Sequence, residues 1–277
     1  IRALGSSDKT KFSAICAKGT LESLLELYKF MSGKPMQGRK VALCRGFVGH
    51  YQETLKLPAH DRRKIQQELN NFAIARTAFN SNTGLPYIPG SSIKGALRTA
   101  WLNGVQRQRP VPKNDRRRGK ELEKELLDGG EFATDPLRMV KVSDFMPVGN
   151  VRTRIVYAVN EKKKLSQFGA KGPYQILEVI EPGSLFEGTI TVKDPPSRDI
   201  RNPIERQSLL NSATRFYREE LQRENGELER IDIQGVQPET PSGGSLLRVG
   251  RHSGAESVTI AGHRNIRIMQ GRDKPAI

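Results

Sequence analysis

The sequence has few cysteines and histidines. Their positions are typical neither of a metal site nor of a disulfide framework. Among 277 residues the only cysteines are Cys16 and Cys44, which do not form a C-x-x-C pair. The histidines are His50, His60, His252 and His263. Their spacing is not typical of zinc ligands, and two unpaired cysteines are typical of a protein from a reducing compartment. We therefore expect no metal and no other cofactor.

Long apolar runs are also missing from the sequence. No stretch approaches the roughly 20 apolar residues that a membrane-spanning helix requires, and no signal peptide is apparent. We therefore expect a soluble protein of the cytoplasm. The sequence begins with Ile1 rather than with methionine, which allows for a natural start further upstream.

Aromatic residues make up only 6% of the chain, whereas basic residues are in clear excess. Lysine and arginine total 46 against 30 aspartates and glutamates, so the formal net charge is +16. A field of this sign and size attracts polyanions, and without a membrane-binding helix we expect the polyanion to be nucleic acid. The scarcity of aromatics argues against binding by base stacking alone, so phosphate contacts should dominate.

The clearest motif is Gly-Leu-Pro-Tyr-Ile-Pro-Gly-Ser-Ser-Ile-Lys-Gly-Ala-Leu-Arg-Thr-Ala-Trp at residues 84–101. Its prolines favour an extended approach, and the turn that follows predicts Ser91 or Ser92 as the N-cap of a helix. The apolar residues that recur at helical spacing after this turn are Ile93, Ala96, Leu97, Ala100 and Trp101. Lys94 and Arg98 lie four residues apart and therefore share a second, basic face.

This turn has the chemistry of a phosphate site. The first N–H groups of a helix are unpaired and lie at the positive end of its dipole, so Gly90 and its neighbours offer donors beside two cations. Gly95 costs about 1 kcal/mol relative to alanine, which suggests that a strand or a ligand approaches the backbone there. A capped amphipathic helix with a solvated basic edge explains the same residues without a ligand, and both interpretations stay open.

A second motif lies near the C-terminus. Residues 246–259, Leu-Leu-Arg-Val-Gly-Arg-His-Ser-Gly-Ala-Glu-Ser-Val-Thr, form a glycine-rich loop between predicted short strands. Gly250 and Gly254 would let a phosphate or sugar approach the backbone, and Arg248, Arg251 and His252 would neutralise it. The alternative is a tight loop in which the histidine bonds a local carbonyl.

Hydrophobic periodicity and turn residues predict the other elements. Helices are predicted from residue 20 to 31 and at 60–79, 121–127 and 207–224. Strands are predicted at 41–48, 137–145, 151–159, 174–180, 185–192, 246–249, 257–260 and 265–269. The turn Glu-Pro-Gly-Ser at 181–184 predicts an antiparallel hairpin of its two flanking strands. The run 107–120 is rich in arginine and lysine, so we expect a mobile basic insertion.

Tyr-Ile-Pro-Gly-Ser-Ser-Ile-Lys-Gly-Ala-Leu-Arg-Thr-Ala at residues 87–100 resembles the I-P-G-S-S-[IL]-K-G-x-[LF]-R signature of the RAMP superfamily. These repeat-associated proteins build the RNA-binding backbone of type III CRISPR effector complexes. Residues 250–257 resemble the glycine-rich loop of the same family, in the form found in the fifth subunit of type III-A (Csm) complexes. Residues 74–80 and 142–145 are similar to that group too. The N-terminal strand expected in this family, with its His- and Gly-containing turn, is not apparent.

The resemblance implies an α+β fold with a ferredoxin-like (RRM-like, βαββαβ) core, and it permits two ferredoxin-like halves. We expect a single elaborated domain over residues 1–277. Within it, residues 103–130 would form a basic and helical insertion. Residues 131–277 would form a second half that ends in the glycine-rich loop and the terminal strands.

The implied function is that of a non-catalytic RNA-binding subunit, which caps a type III-A complex near the 3′ end of the CRISPR RNA and binds its phosphate backbone in antiviral defence. Expected partners are CRISPR RNA, target RNA through the guide, and other Csm subunits, especially the adjacent backbone RAMP subunit; no membrane is expected. The predicted RNA-binding residues are Gly90, Ser91, Ser92, Lys94, Arg98, Arg248, Gly250, Arg251, His252, Ser253 and Gly254.

Two other functions compete with this one. The first is a filament-forming backbone RAMP subunit. The second is an endoribonuclease that processes the CRISPR RNA, in which His252 beside Arg251 would act as general base with Lys94 or His50 as partner. The sequence has no carboxylate cluster that indicates two-metal chemistry, and we expect no catalytic residue.

Overall fold

The computed structural model describes residues 3–35, 38–114, 119–129, 131–162, 167–170, 172–196 and 198–264. They combine helices with short strands, which confirms the α+β class and is consistent with a ferredoxin-like core. The chain divides into two compact units. Unit 1 takes the described residues of 1–87, 147–162 and 166–185, and unit 2 those of 88–146, 163–165 and 186–277.

The elements follow one another along the described residues with mostly short connections. The helices are α1 (Ser6–Ala17), α2 (Leu21–Ser32), α3 (Arg45–Leu55), α4 (Arg62–Asn71), α5 (Gly90–Gln108), α6 (Gly119–Leu126) and α7 (Arg206–Glu229). The strands are β1 (Ala42–Leu43), β2 (Ile74–Ala75), β3 (Val140–Val142), β4 (Met146–Val148), β5 (Thr153–Ala158), β6 (Gln175–Ile180), β7 (Leu185–Glu187) and β8 (Ile190–Val192). Short 3-10 turns lie at Pro136–Met139 and Glu256–Val258.

Unit 1 is built on a four-stranded sheet with the order β1-β5-β6-β2. The central strands β5 and β6 are antiparallel, and each edge strand runs parallel to its neighbour. The core of this unit packs Phe47 of α3 and Phe72, which follows α4, against Ile155 and Ile176 from the sheet. The alternation of buried and accessible residues along β5 and β6 is what places one face of each strand in this core.

Unit 2 is built on the packing of α5 against α7. The apolar stripe of α5 that includes Ile93 and Leu97 packs against Leu209 and Phe216 of α7 in one buried cluster. Strands β3 and β8 pair antiparallel beside it, with Val140 opposite Val192. Because the stripe recurs every three or four residues, one side of each helix is buried and the other side carries its polar residues.

Two predicted elements of unit 1 are wrong in extent or type. The predicted strand 41–48 is limited to β1, since α3 begins at Arg45 and places Phe47 in the core at helical spacing. The predicted helix 60–79 ends at Asn71, after which Ile74 and Ala75 pair with β6 instead. In both cases pairing and packing with distant residues override the local pattern.

The predicted hairpin of residues 174–180 and 185–192 is also wrong. Its turn forms, since the Ser184 N–H donates to the Glu181 carbonyl. However, β6 pairs with β5 along its whole length, and β8 pairs with β3. A local turn signal therefore identifies the bend but not the partner of the strand that leaves it.

The two helices predicted at 20–31 and 207–224 are confirmed as α2 and α7, and α7 continues through Gly226 to Glu229. Residues 6–17, which show little periodicity, form α1. Helix α5 runs through residue 108, so the first residues of the predicted basic insertion belong to this helix. Residues 115–118 of the insertion lie outside the described residues. The single-domain boundary and the insertion stay predictions.

The predicted C-terminal strands are not formed where the structure describes them. Residues 246–249 have no strand pairing, and a 3-10 turn replaces the strand at 257–260. The predicted strand 265–269 lies outside the described residues. Side chains of α5 and α7, described below, hold this segment in place of a sheet. Among the described helices, none is long and apolar enough to cross a membrane.

We predict opposite effects for alanine at two glycines of α5. A Cβ at Gly90 would lie only 2.7 Å from the Val142 carbonyl oxygen and would collide with Ser143, so Gly90→Ala should cost about 1–3 kcal/mol of unfolding free energy. A Cβ at Gly95 meets nothing within 4 Å, so Gly95→Ala should add about 1 kcal/mol through helix propensity. Urea unfolding of both variants measures this, and equal effects would contradict the packing at Gly90.

Candidate nucleic-acid interface

The start of α5 is fixed by backbone contacts rather than by a serine cap. Ile88 and Phe145 exchange two backbone hydrogen bonds of 3.0 and 2.9 Å. The N-cap is Pro89, without a side-chain hydrogen bond, so the prediction of Ser91 or Ser92 as N-cap is wrong. The physical reason is that Gly90 must lie against the strand segment that follows β3, where no side chain fits.

An internal carboxylate already occupies part of the predicted anion site. The Gly90 N–H donates to Asp144 Oδ1 at 2.8 Å, which uses a donor that the sequence predicts for phosphate. The Ser92 N–H donates to the Pro89 carbonyl at 2.9 Å. The side chains of Ser91 and Ser92 are exposed, and neither hydroxyl has a partner among the described residues.

Arg98 is tied to two carboxylates of unit 2. Its Nη2 lies 2.7 Å from Glu123 Oε2, and its Nη1 lies 2.7 Å from Asp135 Oδ2. Burial opposes the charge of Arg98, but hydrogen bonds from Asp135 and Glu123 outweigh it and raise the pKa of the guanidinium. These ion pairs favour a positioning role for Arg98, because its donors are already used within the chain.

Lys94, one turn earlier on α5, differs from Arg98 in its contacts. It is half-buried and makes no ion pair or hydrogen bond with any residue that the structure describes. Burial lowers the pKa of Lys94, and the charges of Lys141 and Arg98 lower it further, while Asp135 acts in the opposite sense. Lys141, on β3, is a neighbour that sequence spacing did not reveal. An anion beside this lysine pair would relieve their repulsion.

The glycine-rich loop is shaped by two glycines and one buried serine. Gly250 and Gly254 have φ angles of +123° and +81°, which favour glycine. Ser253 is buried and donates from Oγ to the Gly250 carbonyl at 2.7 Å. Arg251 and His252 are exposed at the turn between them, and they have no polar partner among the described residues. Residues 251–255 line a surface pocket of about 440 Å³.

Arg248, the third predicted cation of this loop, is paired inside the chain. Its Nη2 donates to Glu224 Oε1 at 2.9 Å, and its Nη1 contacts the other oxygen of the same carboxylate. This bidentate geometry fixes the start of the loop on α7. Arg248 therefore resembles Arg98 and differs from Arg251, since a carboxylate already satisfies its donors.

Tyr217 brings the two motifs together. Its buried hydroxyl lies 3.1 Å from the Ala96 carbonyl of α5 and 3.4 Å from the Ser257 carbonyl. Burial raises the pKa of Tyr217 to about 12, so the hydroxyl keeps its proton. Asn103 adds a second link, since its Oδ1 accepts from the Ala261 N–H at 2.8 Å. The sequence showed Tyr217 only as one more apolar position of α7.

Glu220 anchors the far end of the same segment. It is largely buried, and it accepts hydrogen bonds from Arg264 and, at 2.9 Å, from Arg223 Nε. Burial tends to raise the pKa of Glu220, but the bonds from Arg264 and Arg223 outweigh this effect and lower it. Arg264 also donates to the Glu256 carbonyl at 3.0 Å. Together these contacts fasten residues 246–264 to α7.

The structure thus divides the predicted cations into two groups. Arg98 and Arg248 are paired with carboxylates, whereas Lys94, Arg251 and His252 form no ion pair among the described residues. Backbone atoms of both motifs meet at Tyr217. Their assignment as RNA-binding residues stays a prediction. Across the described residues, no group of three His, Cys, Asp or Glu side chains is placed to hold a metal ion.

His50 lies in unit 1, and both nitrogens of its ring are in use. Nδ1 lies 2.8 Å from the Tyr157 hydroxyl, and Nε2 lies 3.1 Å from Glu68 Oε2. The ring also packs against Phe72 in the aromatic core of that unit. These contacts favour a structural role over that of a catalytic partner.

Comparison with known proteins gives one matching family and ten similar chains among the solved structures. The model of the RAMP superfamily matches residues 47–233, more than half of the chain. The chain is similar to the crystal structure of T.onnurineus Csm5, with 20% identity, a TM-score of 0.41, and coverage of 57% of this chain and 56% of that one. The match therefore spans just over half the length of that protein.

The second similar structure is a chain of a Csm-crRNA-target RNA ternary complex from a type III-A CRISPR-Cas system, solved by cryo-EM. The identity is 17%, the TM-score is 0.44, and the match covers 76% of this chain and 74% of that one. A search of curated proteins finds no match.

We predict that Glu220→Gln removes about 2 kcal/mol of stability at neutral pH, because a charged acceptor of two arginine hydrogen bonds is lost. The folded-state pKa of Glu220 is lowered. Its contribution to the free energy of unfolding is therefore fully present above pH 4.5, the ordinary pKa of this carboxyl group. That contribution is lost as the pH falls through the lower pKa of the folded state. Urea unfolding at several pH values should show the wild type and variant converging in acid.

Glu229→Gln provides the control for this measurement. Glu229 is an exposed carboxylate at the end of the same helix, so its removal should change stability little at any pH. A difference between wild type and Glu220→Gln that stays constant from pH 7 to strong acid would contradict the ion-pair account.

Proposed function

Since the chain belongs to the RAMP superfamily, we propose that it is a non-catalytic RNA-binding subunit of a type III-A CRISPR effector complex. It binds the phosphate backbone of the CRISPR RNA and caps the complex near the 3′ end of that RNA, in antiviral defence. The capping position is proposed from the resemblance of residues 250–257 to the glycine-rich loop of the fifth Csm subunit. Its partners are the CRISPR RNA, target RNA paired with the guide, and neighbouring Csm subunits.

The observation that carries this proposal is the set of cations on two adjoining segments that form no ion pair among the described residues. Lys94 and Lys141 lie close enough to repel each other, and Arg251 and His252 project from the glycine-rich loop. The Tyr217 hydroxyl contacts both segments. Unpaired cations on rigidly joined segments favour phosphate binding, because no internal carboxylate has to be displaced.

The other predicted residues support these contacts in different ways. The exposed hydroxyls of Ser91 and Ser92 donate to phosphate or ribose oxygens, and the glycines of the loop let the RNA backbone approach. Arg98 and Arg248 act by holding α5 and the loop in position. Contacts of this kind do not read bases, so any spacer sequence is accepted, and base pairing supplies target specificity.

We predict that Lys94→Ala/Arg251→Ala weakens binding of CRISPR RNA about tenfold at low salt, equally for unrelated sequences. Each phosphate contact to a single strand contributes about 0.7 to the slope of log affinity against log salt, so the slope should flatten by about 1.4. Fluorescence anisotropy of labelled RNA, measured from low to moderate salt, gives both quantities.

The matched control is Lys56→Ala/Arg230→Ala. It removes the same charge from two exposed cations, each of which pairs with a glutamate of the helix that it follows, and so tests the effect of net charge alone. The control should keep nearly the full salt slope. If the two double variants lose affinity and slope equally, the general field of the protein binds RNA and the proposed site does not.

One observation supports a nuclease as the alternative function. His252 is exposed beside Arg251 at a surface pocket. We predict that purified protein leaves CRISPR RNA at full length both in EDTA and in Mg²⁺, since His252 makes no hydrogen bond or ion pair with an acid or base among the described residues. Gel electrophoresis after extended incubation tests this. Shortening at defined sites that disappears in His252→Ala would replace the binding assignment by a catalytic one.

A further inference from the structure

A second polar groove runs along α7, within unit 2 and apart from the glycine-rich loop. It consists of two adjoining pockets of about 430 and 410 Å³ that share Asn211 and Arg215 as lining residues. The first lies against α5, and the second continues to the turn at Gly243. From Ser208 to Gln222 the helix extends roughly 20 Å, which is the length of a few nucleotides.

Trp101 forms one wall of this groove. It packs against the hydrophobic core of unit 2 on one side and lines the pocket between α5 and α7 on the other. It is the only tryptophan in the chain. A half-buried indole that is fixed by a core gives a nucleobase a rigid surface for stacking, at little entropic cost.

The charges along the groove favour an anion. Arg107 and Arg215 both contact Glu219, with Arg107 Nη1 at 2.9 Å and Arg215 Nε at 3.5 Å from Oε1. Arg218, also in the lining, has no polar partner among the described residues. The groove therefore has more positive than negative charge. The pairs with Glu219 are partly exposed and weak, so a phosphate can replace the carboxylate at small cost.

The other lining residues favour RNA over a protein partner. Along α7 they are mainly hydroxyls and amides, with Ser208, Asn211, Thr214 and Gln222 as examples. The buried centre of a protein interface is normally apolar and contains few charges. Hydroxyls and amides instead suit ribose 2′-hydroxyls and base edges.

We propose that this groove binds single-stranded RNA, with a base stacked on Trp101 and phosphates held by Arg215 and Arg218. Glu219 keeps the arginines in position when the groove is empty and competes with phosphate for them. The site uses none of the residues of the interface proposed above, and it shares with that interface only the chemical nature of the ligand. It would give the protein a second RNA contact.

The fluorescence of the single tryptophan tests this directly in the intact protein. Titration with a short oligouridylate at low salt should quench Trp101 in a saturable manner. Arg215→Ala/Arg218→Ala should weaken this binding about tenfold. Glu219→Gln should strengthen it about threefold, because a competing anion is removed from two guanidiniums. All three side chains are polar and lie at the surface, and circular dichroism checks that the variants fold.

Controls separate this site from the first one. Lys94→Ala/Arg251→Ala should leave the tryptophan quenching unchanged even where total RNA binding falls, and Lys56→Ala/Arg230→Ala should change it little. Absence of quenching at RNA concentrations that saturate anisotropy would overturn the groove and leave the first interface standing. Quenching that is lost in Lys94→Ala/Arg251→Ala but not in Arg215→Ala/Arg218→Ala would also overturn it. So would saturable quenching by polyglutamate but not by RNA, which would indicate an acidic protein segment.

Discussion

The hydrogen bonds of one buried tyrosine hydroxyl link the two parts of unit 2 that carry the candidate interface. Residues 246–264 have no strand partner in the described structure, so no ladder of backbone bonds fixes them. Their position depends instead on side chains, with Tyr217 in the middle and carboxylates of α7 at either end. Removing such a contact leaves a buried polar group unsatisfied, which costs more than the bond itself contributes. The position of this segment therefore depends mainly on side chains of α7, with Asn103 of α5 as a further contact.

The excess of positive charge is meaningful only after internal pairing has been taken into account. Arg98, Arg248 and Arg264 each contact a carboxylate of unit 2, and their role is to connect elements. Lys94 and Arg251 have no such partner among the described residues. This distinction makes the net charge of the chain a poor guide to binding by itself, because only cations without an internal partner bind phosphate at no cost in broken ion pairs.

The sequence was sufficient to predict the elements that local periodicity determines. The apolar stripes of α2, α5 and α7 repeat every three to four residues, and these helices form where expected. Pairing between strands and between charges could not be predicted in the same way. Arg248 and Glu224, or Arg98 and Asp135, are 24 and 37 positions apart, and only the tertiary fold brings them together. The same holds for β6, which pairs with β5 and β2 rather than with the strand that follows its strong turn signal.

Two different faces of helix α7 contribute to the surfaces described above. Tyr217, Glu220 and Glu224 hold the glycine-rich segment, whereas Asn211, Arg215 and Arg218 line the groove. Since each residue advances by about 100° around a helix, these two sets point in nearly opposite directions from one rigid rod. A tilt or axial slide of α7 would therefore displace both surfaces at once. Thermodynamic linkage then requires that an occupant of either surface alter the affinity of the other by the same factor if it moves the helix.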